Sequence, residues 1–428
     1  MKPKSRRLWE SVKTLLILLL SASALWLLYL SPLVQSSGLS TLFEENRTAA
    51  PGTSHTPIGL TAAAIPARMA VGSDKGFYGV QYDQAGTDAL FELAGPLLGE
   101  ALSAAHSPTK LTYPQWRSRL GGTCVYFDFT SPIPLSTLCS WLKEGGDNAA
   151  LTHSARLILL SREKNGALSL SFYSQEENAY IRYETGLDGD LHLPPIVDSI
   201  TPNGAFFAFE DESLPHVISP HTLFTGEEPS PTLYNSSTPL LLSENGLTEQ
   251  FLSALSFSGQ NRAVVTEGVL YVDGEDTLRL YGDGYVEYTS ADSGKYPAGD
   301  GLSGAVEAAW SLAEQALTPL CGAARLYLMS ALPEEDGGYT VTFGYMLDGC
   351  VVDLYEQGWA ARFHVDGGSI REFSLYARSY TLSGQSKLLL PADKAAAALS
   401  ALTDTEKELV IQYRDNGGAV AEPGWAGR

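Results

Sequence analysis

The chain has 428 residues, a formal net charge of −21 and 44% hydrophobic residues. A surface this acidic repels nucleic-acid phosphates and anionic lipid headgroups, which excludes nucleic-acid binding. The apolar content is sufficient for sizeable cores, and the length predicts two or three folded units.

An uncharged, apolar segment lies near the start of the chain. Residues 14–34 carry no charged side chain, whereas residues 1–13 are strongly basic. As a helix this segment is about 30 Å long, which matches the hydrocarbon thickness of a bilayer. Because basic flanks stay in the cytoplasm, we expect a cytoplasmic tail at 1–13, a single transmembrane helix at 14–34 and all later residues outside the cell.

A cleaved signal peptide is the alternative interpretation of this segment. Signal cores are usually shorter and end at a small-residue cleavage site. Here Val34-Gln35-Ser36 is a poor cleavage site. Trp26 and Tyr29 lie near the outer end, where aromatic side chains act as interface anchors. We therefore favour an uncleaved membrane anchor.

Small side chains interrupt this leucine-rich segment at Ser21, Ala22, Ser23 and Ala24. Small residues let two helices approach closely in lipid. This notch (Ser21–Ala24) is therefore a candidate transmembrane contact with a partner. Ordinary variation within a membrane anchor is the alternative.

Residues 35–66 are rich in Ser, Thr, Ala, Gly and Pro and predict a juxtamembrane linker. An N-terminal extracytoplasmic α+β domain is predicted at 67–232. Its first helix is expected to be capped by Thr87 and to be kinked or interrupted at Pro96. The predicted elements are a strand at 69–82, a helix at 87–105, a strand at 122–130, a short helix ending at 142, and strands at 156–160, 167–173 and 179–183.

A middle helix-plus-hairpin domain is predicted at 233–300 and a C-terminal α+β domain at 301–428. In the middle domain, Asp273-Gly274 and Asp283-Gly284 separate β-rich runs, which is typical of hairpin turns. The predicted elements are a helix at 247–255, a helix at 302–317, strands at 324–330, 339–347, 359–365 and 370–378, a helix at 392–402 and a strand at 408–413.

A helix followed by antiparallel strands occurs in both of these domains, which suggests related folds in tandem. Residues 285–288 and 371–374 are candidates for equivalent strands. The predicted fold class is α+β: an N-terminal transmembrane helix followed by two or three extracytoplasmic domains of antiparallel sheets with flanking helices.

The four cysteines, Cys124, Cys139, Cys321 and Cys350, have neither a CxxC pair nor zinc-ligand spacing. Outside the membrane, two local disulfides are one interpretation, pairing Cys124 with Cys139 and Cys321 with Cys350. Buried thiols are the alternative, and the sequence leaves both open.

The sequence has no recognisable catalytic pattern. Its seven histidines are scattered, and it contains no GxSxG elbow, SxxK pair or P-loop. The acidic segments 188–190 and 273–276 are more typical of turns than of calcium loops. We therefore predict no catalytic residue, no cofactor, no metal site and no enzymatic activity.

Three segments carry a family resemblance: VYFDFTSPIPLSTL at 125–138, DTLRLYGDGYVEY at 276–288 and LVIQYRDNGGAVAEPGW at 409–425. Together with the basic tail, the single membrane helix and the large acidic exterior, they resemble the YycH/YycI family of Gram-positive bacteria. The length is closer to that of YycH than to that of the shorter YycI. Members of this family are membrane-anchored regulators of an essential sensor histidine kinase that controls cell-wall metabolism.

The resemblance implies a non-catalytic regulator of a two-component system that acts through its transmembrane helix and its ectodomain. The implied partners are the sensor histidine kinase and either a YycI-like companion protein or a second copy of the chain. An anchored envelope-binding or scaffold module is the alternative function. An anchored extracellular hydrolase is the third.

Overall fold

The computed structural model describes residues 63–428, apart from 74, 144–147, 227–228, 241–245, 292–293, 336 and 355. Within these residues the chain forms a seven-stranded sheet, a thirteen-stranded sheet, a two-stranded ribbon and eight α-helices. Among the described residues, neighbouring strands run antiparallel except in one pair, which is parallel. The predicted α+β class with antiparallel sheets is confirmed.

The seven-stranded sheet is formed by residues 68–188. Its strands are β1 (Arg68–Ser73), β2 (Gly76–Val80), β3 (His106–Leu111), β4 (Cys124–Pro134), β5 (Ser154–Arg162), β6 (Ala167–Ser174) and β7 (Ala179–Asp188). Their order across the sheet is β2-β1-β4-β5-β6-β7-β3. The single strand predicted at 69–82 is instead a hairpin of β1 and β2, in which Gly76 takes a φ of 121° opposite Ser73.

Three helices accompany this sheet: α1 (Gln84–Ala104), α2 (Tyr113–Leu120) and α3 (Leu135–Leu142). The cap of α1 is Asp83 rather than Thr87, and its carboxylate accepts a hydrogen bond of 3.0 Å from the backbone N–H of Gly86. Pro96 lies inside α1 without ending it. The predicted interruption is absent because buried residues on both sides of Pro96 pack the helix onto the core.

A short irregular region connects the two large sheets. It contains α4 (Gly189–His192), α5 (Pro194–Val197) and a two-stranded ribbon of β8 (Phe206–Phe207) and β9 (Leu223–Phe224). Phe207 packs against Tyr126 of β4, with ring centroids 5.1 Å apart. The ribbon therefore covers one face of the seven-stranded sheet.

The thirteen-stranded sheet is formed by residues 232–427. Its strands are β10 (Thr232–Ser237), β11 (Arg262–Val265), β12 (Gly268–Asp273), β13 (Asp276–Tyr281), β14 (Tyr285–Ser290), β15 (Arg325–Pro333), β16 (Tyr339–Leu347), β17 (Cys350–Leu354), β18 (Ala361–Asp366), β19 (Ser369–Tyr376), β20 (Ser379–Ser386), β21 (Leu409–Asp415) and β22 (Val420–Gly427). Their order is β11-β12-β13-β14-β19-β18-β16-β17-β21-β22-β10-β20, and β15 also pairs with β16.

Both predicted aspartate–glycine turns are confirmed. β12 and β13 form an antiparallel hairpin in which Asp273 lies opposite Asp276. β13 and β14 form the next antiparallel hairpin. Gly274 and Gly284 take φ values of 62° and 89°, which glycine adopts without steric cost.

The sheet continues across the boundary predicted at residue 300. β14 pairs with β19, so that Tyr288 lies opposite Phe373. The two segments that the sequence suggested as equivalent strands are therefore hydrogen-bonded neighbours. The domain boundaries themselves stay a prediction.

One apolar core joins the helices of the two sheets. The remaining helices are α6 (Gly246–Ala254), α7 (Gly301–Leu317) and α8 (Ala392–Ser400). The predicted apolar stripe of α7 is buried along most of its length. Its Trp310 packs between Phe343 of β16, 5.5 Å away, and Trp141 of α3, 6.0 Å away. The same core contains Phe127 of β4, so it extends from one sheet to the other.

Candidate functional site

The predicted membrane-contact residues precede the part of the chain that the structure describes. Ser21, Ala22, Ser23 and Ala24, and the anchors Trp26 and Tyr29, lie outside the described residues. In the part of the chain that is described, no helix is long and apolar enough to span a bilayer. The predicted membrane helix and its partner contact stay predictions.

The structure contains neither of the two disulfides that the sequence leaves open, and all four cysteines are buried free thiols. Cys124 lies in a core cluster with Trp116, whereas Cys139 belongs to the large core shared by both sheets. The Sγ of Cys321 donates to the carbonyl of Ala324 at 2.9 Å, and that of Cys350 points to the carbonyl of Asp348 at 3.8 Å. Cys124 and Cys139 thus lie in different core clusters, and Cys321 and Cys350 are free thiols within the same one.

A buried cluster of charged side chains lies where the two sheets meet. Arg68 of β1 and Asp128 of β4 are opposite each other in the sheet, and Arg156 comes from the next strand, β5. Glu408 directly precedes β21 of the other sheet. We call these four residues, with Arg428, the junction cluster.

Asp128 is at the centre of the junction cluster. Its carboxylate lies 2.7 Å from Nη2 of Arg68, and it accepts two hydrogen bonds of 2.9 Å from Arg156. The backbone N–H of Thr130 donates to it as well, at 2.8 Å. Burial raises the pKa of Asp128, but Arg156, Arg68 and these hydrogen bonds outweigh burial and hold that pKa well below its usual range.

Glu408 connects the cluster to the second sheet. Its carboxylate lies 3.0 Å from Nη1 of Arg68 and also pairs with Arg156. The ion pair between Arg68 and Asp128 is screened very little by solvent, because the two side chains are only 4% and 2% exposed. The junction cluster therefore fixes the two sheets to each other through charge.

A bulge in β4 positions the fifth member. The register of β4 against β5 shifts between Asp128 and Ile133, and Thr130 takes a φ of 65° there, which is rare for a β-branched residue. The carbonyl of Thr130 accepts a hydrogen bond from Arg428, and the hydroxyl of Ser131 lies 3.4 Å from the same guanidinium. Burial and the nearby Arg156 lower the pKa of Arg428.

A cavity of about 440 Å³ opens beside the junction cluster. Arg68, Tyr82 and Thr130 line it from the first sheet, and Tyr327 and Arg428 line it from the second. Tyr82, like Thr130, has a left-handed backbone, with a φ of 59°. Cavities of this size between two parts of a fold are where small molecules usually bind.

A second surface feature lies on the thirteen-stranded sheet. Tyr281, Tyr285 and Trp359 form a half-buried aromatic row, with successive ring centroids 5.4 and 6.2 Å apart. Glu287 accepts a hydrogen bond from Tyr281. Tyr285, Glu287 and Trp359 line a shallow cavity of about 440 Å³. Flat aromatic rings beside polar groups provide a surface for partly apolar ligands.

No sequence motif marks the arginines of the junction cluster. Each lies in or beside a strand, where a lone charged residue is normally solvent-facing. One signal was present: Asp128 interrupts the otherwise apolar strand VYFDF, and a buried carboxylate requires a cationic partner. The identity of that partner depends on strand pairing.

Comparison with known proteins shows a likeness in structure and none in sequence. No family model matches this chain, and no curated protein sequence does. The crystal structure of YycH from Bacillus subtilis is similar, with a TM-score of 0.55 and 14% sequence identity, over 86% of this chain and 94% of that chain. The chain has a YycH-like fold.

The YycH-like fold agrees with the resemblance drawn from residues 125–138, 276–288 and 409–425. These segments form β4 with the start of α3, the β13–β14 hairpin, and the β21–β22 pair. Two of them lie in the thirteen-stranded sheet.

Proposed function

We propose that this chain is a single-pass membrane protein that regulates a two-component sensor histidine kinase without catalysing a reaction itself. Its N-terminus lies in the cytoplasm and its folded bulk outside the cell. The YycH-like fold, over 86% of the chain, is the observation that carries the proposal. The uncharged segment 14–34 and its basic flank support the membrane topology.

The regulator acts by binding one conformation of the kinase better than the other, because only a difference in affinity shifts a two-state equilibrium. We place one contact at the notch (Ser21–Ala24), where small side chains allow a kinase helix to approach closely. The ectodomain provides a second contact. A YycI-like companion or a second copy of the chain is a further candidate partner.

The test is co-purification of the full-length protein with the kinase from membranes in a non-ionic detergent. Replacing Ser21, Ala22, Ser23 and Ala24 by leucine should abolish kinase-dependent reporter activity and reduce recovery of the kinase at least about tenfold, since the loss of a 1.4 kcal/mol contact changes an equilibrium tenfold. The matched control replaces Leu18, Leu19 and Leu20 by isoleucine, which keeps the segment apolar.

Failure of the wild-type protein to recover any histidine kinase would contradict the proposed function. Equal recovery by the leucine variant and its control would instead remove only the notch from the proposal. Unchanged thermal melting of the ectodomain in both variants excludes misfolding as the cause.

Binding of a cell-envelope polymer is a second candidate function, favoured by the aromatic row Tyr281–Tyr285–Trp359. Its test is sedimentation of the full-length protein with isolated cell walls. A Tyr285→Ala, Trp359→Ala double variant should lose binding if the row carries it. Absence of binding by the wild type excludes this function.

A further inference from the structure

The part of the thirteen-stranded sheet that α7 covers has a second face with a different chemistry. On the covered side, Trp310 of α7 packs against Phe343, and the rings of Phe343, Phe363 and Phe373 pack in succession. Side chains alternate between the two faces of a strand, so the residues on either side of Phe363 and Phe373 point away from α7.

Two rows of polar side chains cross the strands on this opposite face. In the first row, Glu287 of β14 lies opposite Ser374 of β19, which in turn lies opposite Arg362 of β18. In the second row, Glu372 of β19 lies opposite His364 of β18. Arg362 and Glu372 are exposed, and the other three side chains are partly exposed. We call these five residues the polar rows. They present carboxylates and a guanidinium group side by side to solvent.

The aromatic row Tyr281–Tyr285–Trp359 lies beside the polar rows. Tyr285 and Glu287 are two residues apart in β14 and therefore lie on the same face of the sheet. Tyr285, Trp359 and all five residues of the polar rows line the same shallow cavity. This cavity thus combines aromatic rings with hydrogen-bonding groups of both signs of charge.

Hydrogen bonds and a tight turn hold the aromatic row in position. Arg279 donates to the hydroxyl of Tyr281 at 3.3 Å, and that hydroxyl donates to Glu287. Gly284, with a φ of 89°, forms the turn between the strands that carry Tyr281 and Tyr285. Side chains that are ordered before a ligand arrives lose little conformational entropy when it binds.

The chemistry of the cavity matches a ligand with an apolar face and many hydroxyl groups. Aromatic rings pack on apolar surface, whereas carboxylates accept hydrogen bonds and guanidinium groups donate them. Because a hydroxyl does both, neighbouring hydroxyls bond equally well to Glu287, Arg362 and Glu372. A polymer of one charge is repelled by part of this wall, and a polyanion also by the net charge of −21. Sugar rings have the required combination of an apolar C–H face and hydroxyl edges.

We propose that the aromatic row and the polar rows together bind an uncharged glycan, whose sugar rings stack on Trp359 and Tyr285 while their hydroxyl groups bond to the polar rows. This inference rests on the second candidate function, because it names the part of an envelope polymer that the aromatic row recognises. It does not depend on the proposed kinase regulation.

The test is isothermal titration of the full-length protein in a polyoxyethylene ether detergent, which contains no sugar. The glycan probes are cellohexaose and chitohexaose, of which the second carries N-acetyl groups. Poly(glycerol phosphate) is the anionic probe, and trialanine is the peptide probe. Tryptophan fluorescence, recorded in parallel, reports stacking of a ligand on Trp359.

We expect at least one glycan probe to bind and to shift the tryptophan fluorescence of the wild type. Trp359→Ala should bind that glycan at least about tenfold more weakly, because truncation of an aromatic anchor is usually the costliest change in a binding surface. Trp359→Phe should retain part of the affinity and lose the fluorescence shift. Arg362→Gln should weaken binding severalfold, whereas Arg414→Gln, the matched control at an exposed arginine of β21, should bind as the wild type does.

Absence of binding by both glycan probes would overturn the proposal, and so would tighter binding of poly(glycerol phosphate) or trialanine. Unchanged affinity in Trp359→Ala would contradict it as well. Because Arg362 is exposed, Arg362→Gln keeps the proposal testable should Trp359→Ala fail to fold, and unchanged affinity there also counts against it.

Sedimentation of the same protein with isolated cell walls separates this inference from the second candidate function. A wild type that sediments with the walls and binds neither glycan contradicts the inference alone. A wild type that binds a glycan and does not sediment with the walls contradicts the candidate function and supports the sugar contact.

Discussion

Asp128 holds Arg68 and Arg156 in place, the two arginines through which the seven-stranded sheet pairs with Glu408. It is 2% exposed and accepts hydrogen bonds from Arg156 and the backbone of Thr130, with Arg68 2.7 Å away. Its removal leaves two buried guanidinium groups with only Glu408 as counter-charge. At the residue scale, this carboxylate is the counter-charge that both arginines share.

We predict that Asp128→Asn lowers the free energy of unfolding by about 3–5 kcal/mol, as expected when one partner of a buried ion pair is removed. Urea unfolding followed by tryptophan fluorescence measures the loss. Asp190→Asn is the matched control, because Asp190 pairs with Arg162 at the surface, where both side chains are about half exposed, and it should change stability by less than about 1 kcal/mol. Equal losses in both variants would contradict the assigned role.

The effect of Asp128 should also depend on pH. Because its pKa is lower in the folded state than in the unfolded chain, its stabilisation is complete above a pH of about 4 and decreases as the pH falls below that value. The difference in unfolding free energy between wild type and Asp128→Asn should therefore shrink between about pH 4 and pH 2. A difference that stays constant over this range would show that the carboxylate charge is not responsible.

At the element scale, α3 and α7 hold the two halves together. The rings of Trp141 and Trp310 lie 6.0 Å apart, and Ser140 donates to Glu307 at 2.7 Å. Ser303 of α7 lies 3.0 Å from both hydroxyls of Ser136 and Thr137. The contact between the helices is thus apolar at its centre and hydrogen-bonded along one side.

We predict that Trp310→Ala destabilises the protein by about 3–5 kcal/mol, because it leaves a large cavity in this contact. Trp310→Phe should cost much less, since the buried Nε1 of Trp310 has no hydrogen-bond partner to lose. Thermal and urea unfolding of both variants test this. A phenylalanine variant as unstable as the alanine variant would contradict the assignment of the lost stability to the cavity.

At the scale of the whole molecule, one core connects both large sheets. It contains Phe127 and Leu160 from the seven-stranded sheet, Phe343 from the thirteen-stranded sheet and Trp310 from α7. The ion pair between Asp88 and Arg325, at 2.8 Å, crosses the same junction. Neither half can unfold without exposing apolar surface of the other.

We therefore predict that the two sheets unfold in one cooperative transition. Hydrogen exchange of the full-length protein in increasing urea, read by mass spectrometry, should give the same midpoint for peptides from β5–β6 and from β18–β19. Two separate midpoints would show that the junction is weaker than the core and ion pairs indicate.

Much of the local structure was predictable from the sequence. The aspartate–glycine hairpins, the apolar stripe of α7 and the buried strand around Asp128 follow from turn chemistry and periodicity, which act over short distances. The single strand predicted at 69–82 is a hairpin because Gly76 supplies the positive φ of a turn within that segment. The prediction of Thr87 as the cap of α1 is wrong because Asp83, four residues earlier, is also a favoured capping residue and begins the helix one turn sooner.

The sequence by itself determined the secondary-structure class. It also gave rise to two expectations, that nucleic acid is not a partner and that residues 14–34 form a membrane anchor, since each depends on composition or local pattern. Only the tertiary structure decided that the predicted middle and C-terminal domains share one sheet, and that Arg68, Asp128, Arg156, Glu408 and Arg428 meet beside a cavity. These residues lie far apart in the chain, from Arg68 to Arg428. Strand pairing brings them together, and no local sequence pattern encodes that pairing.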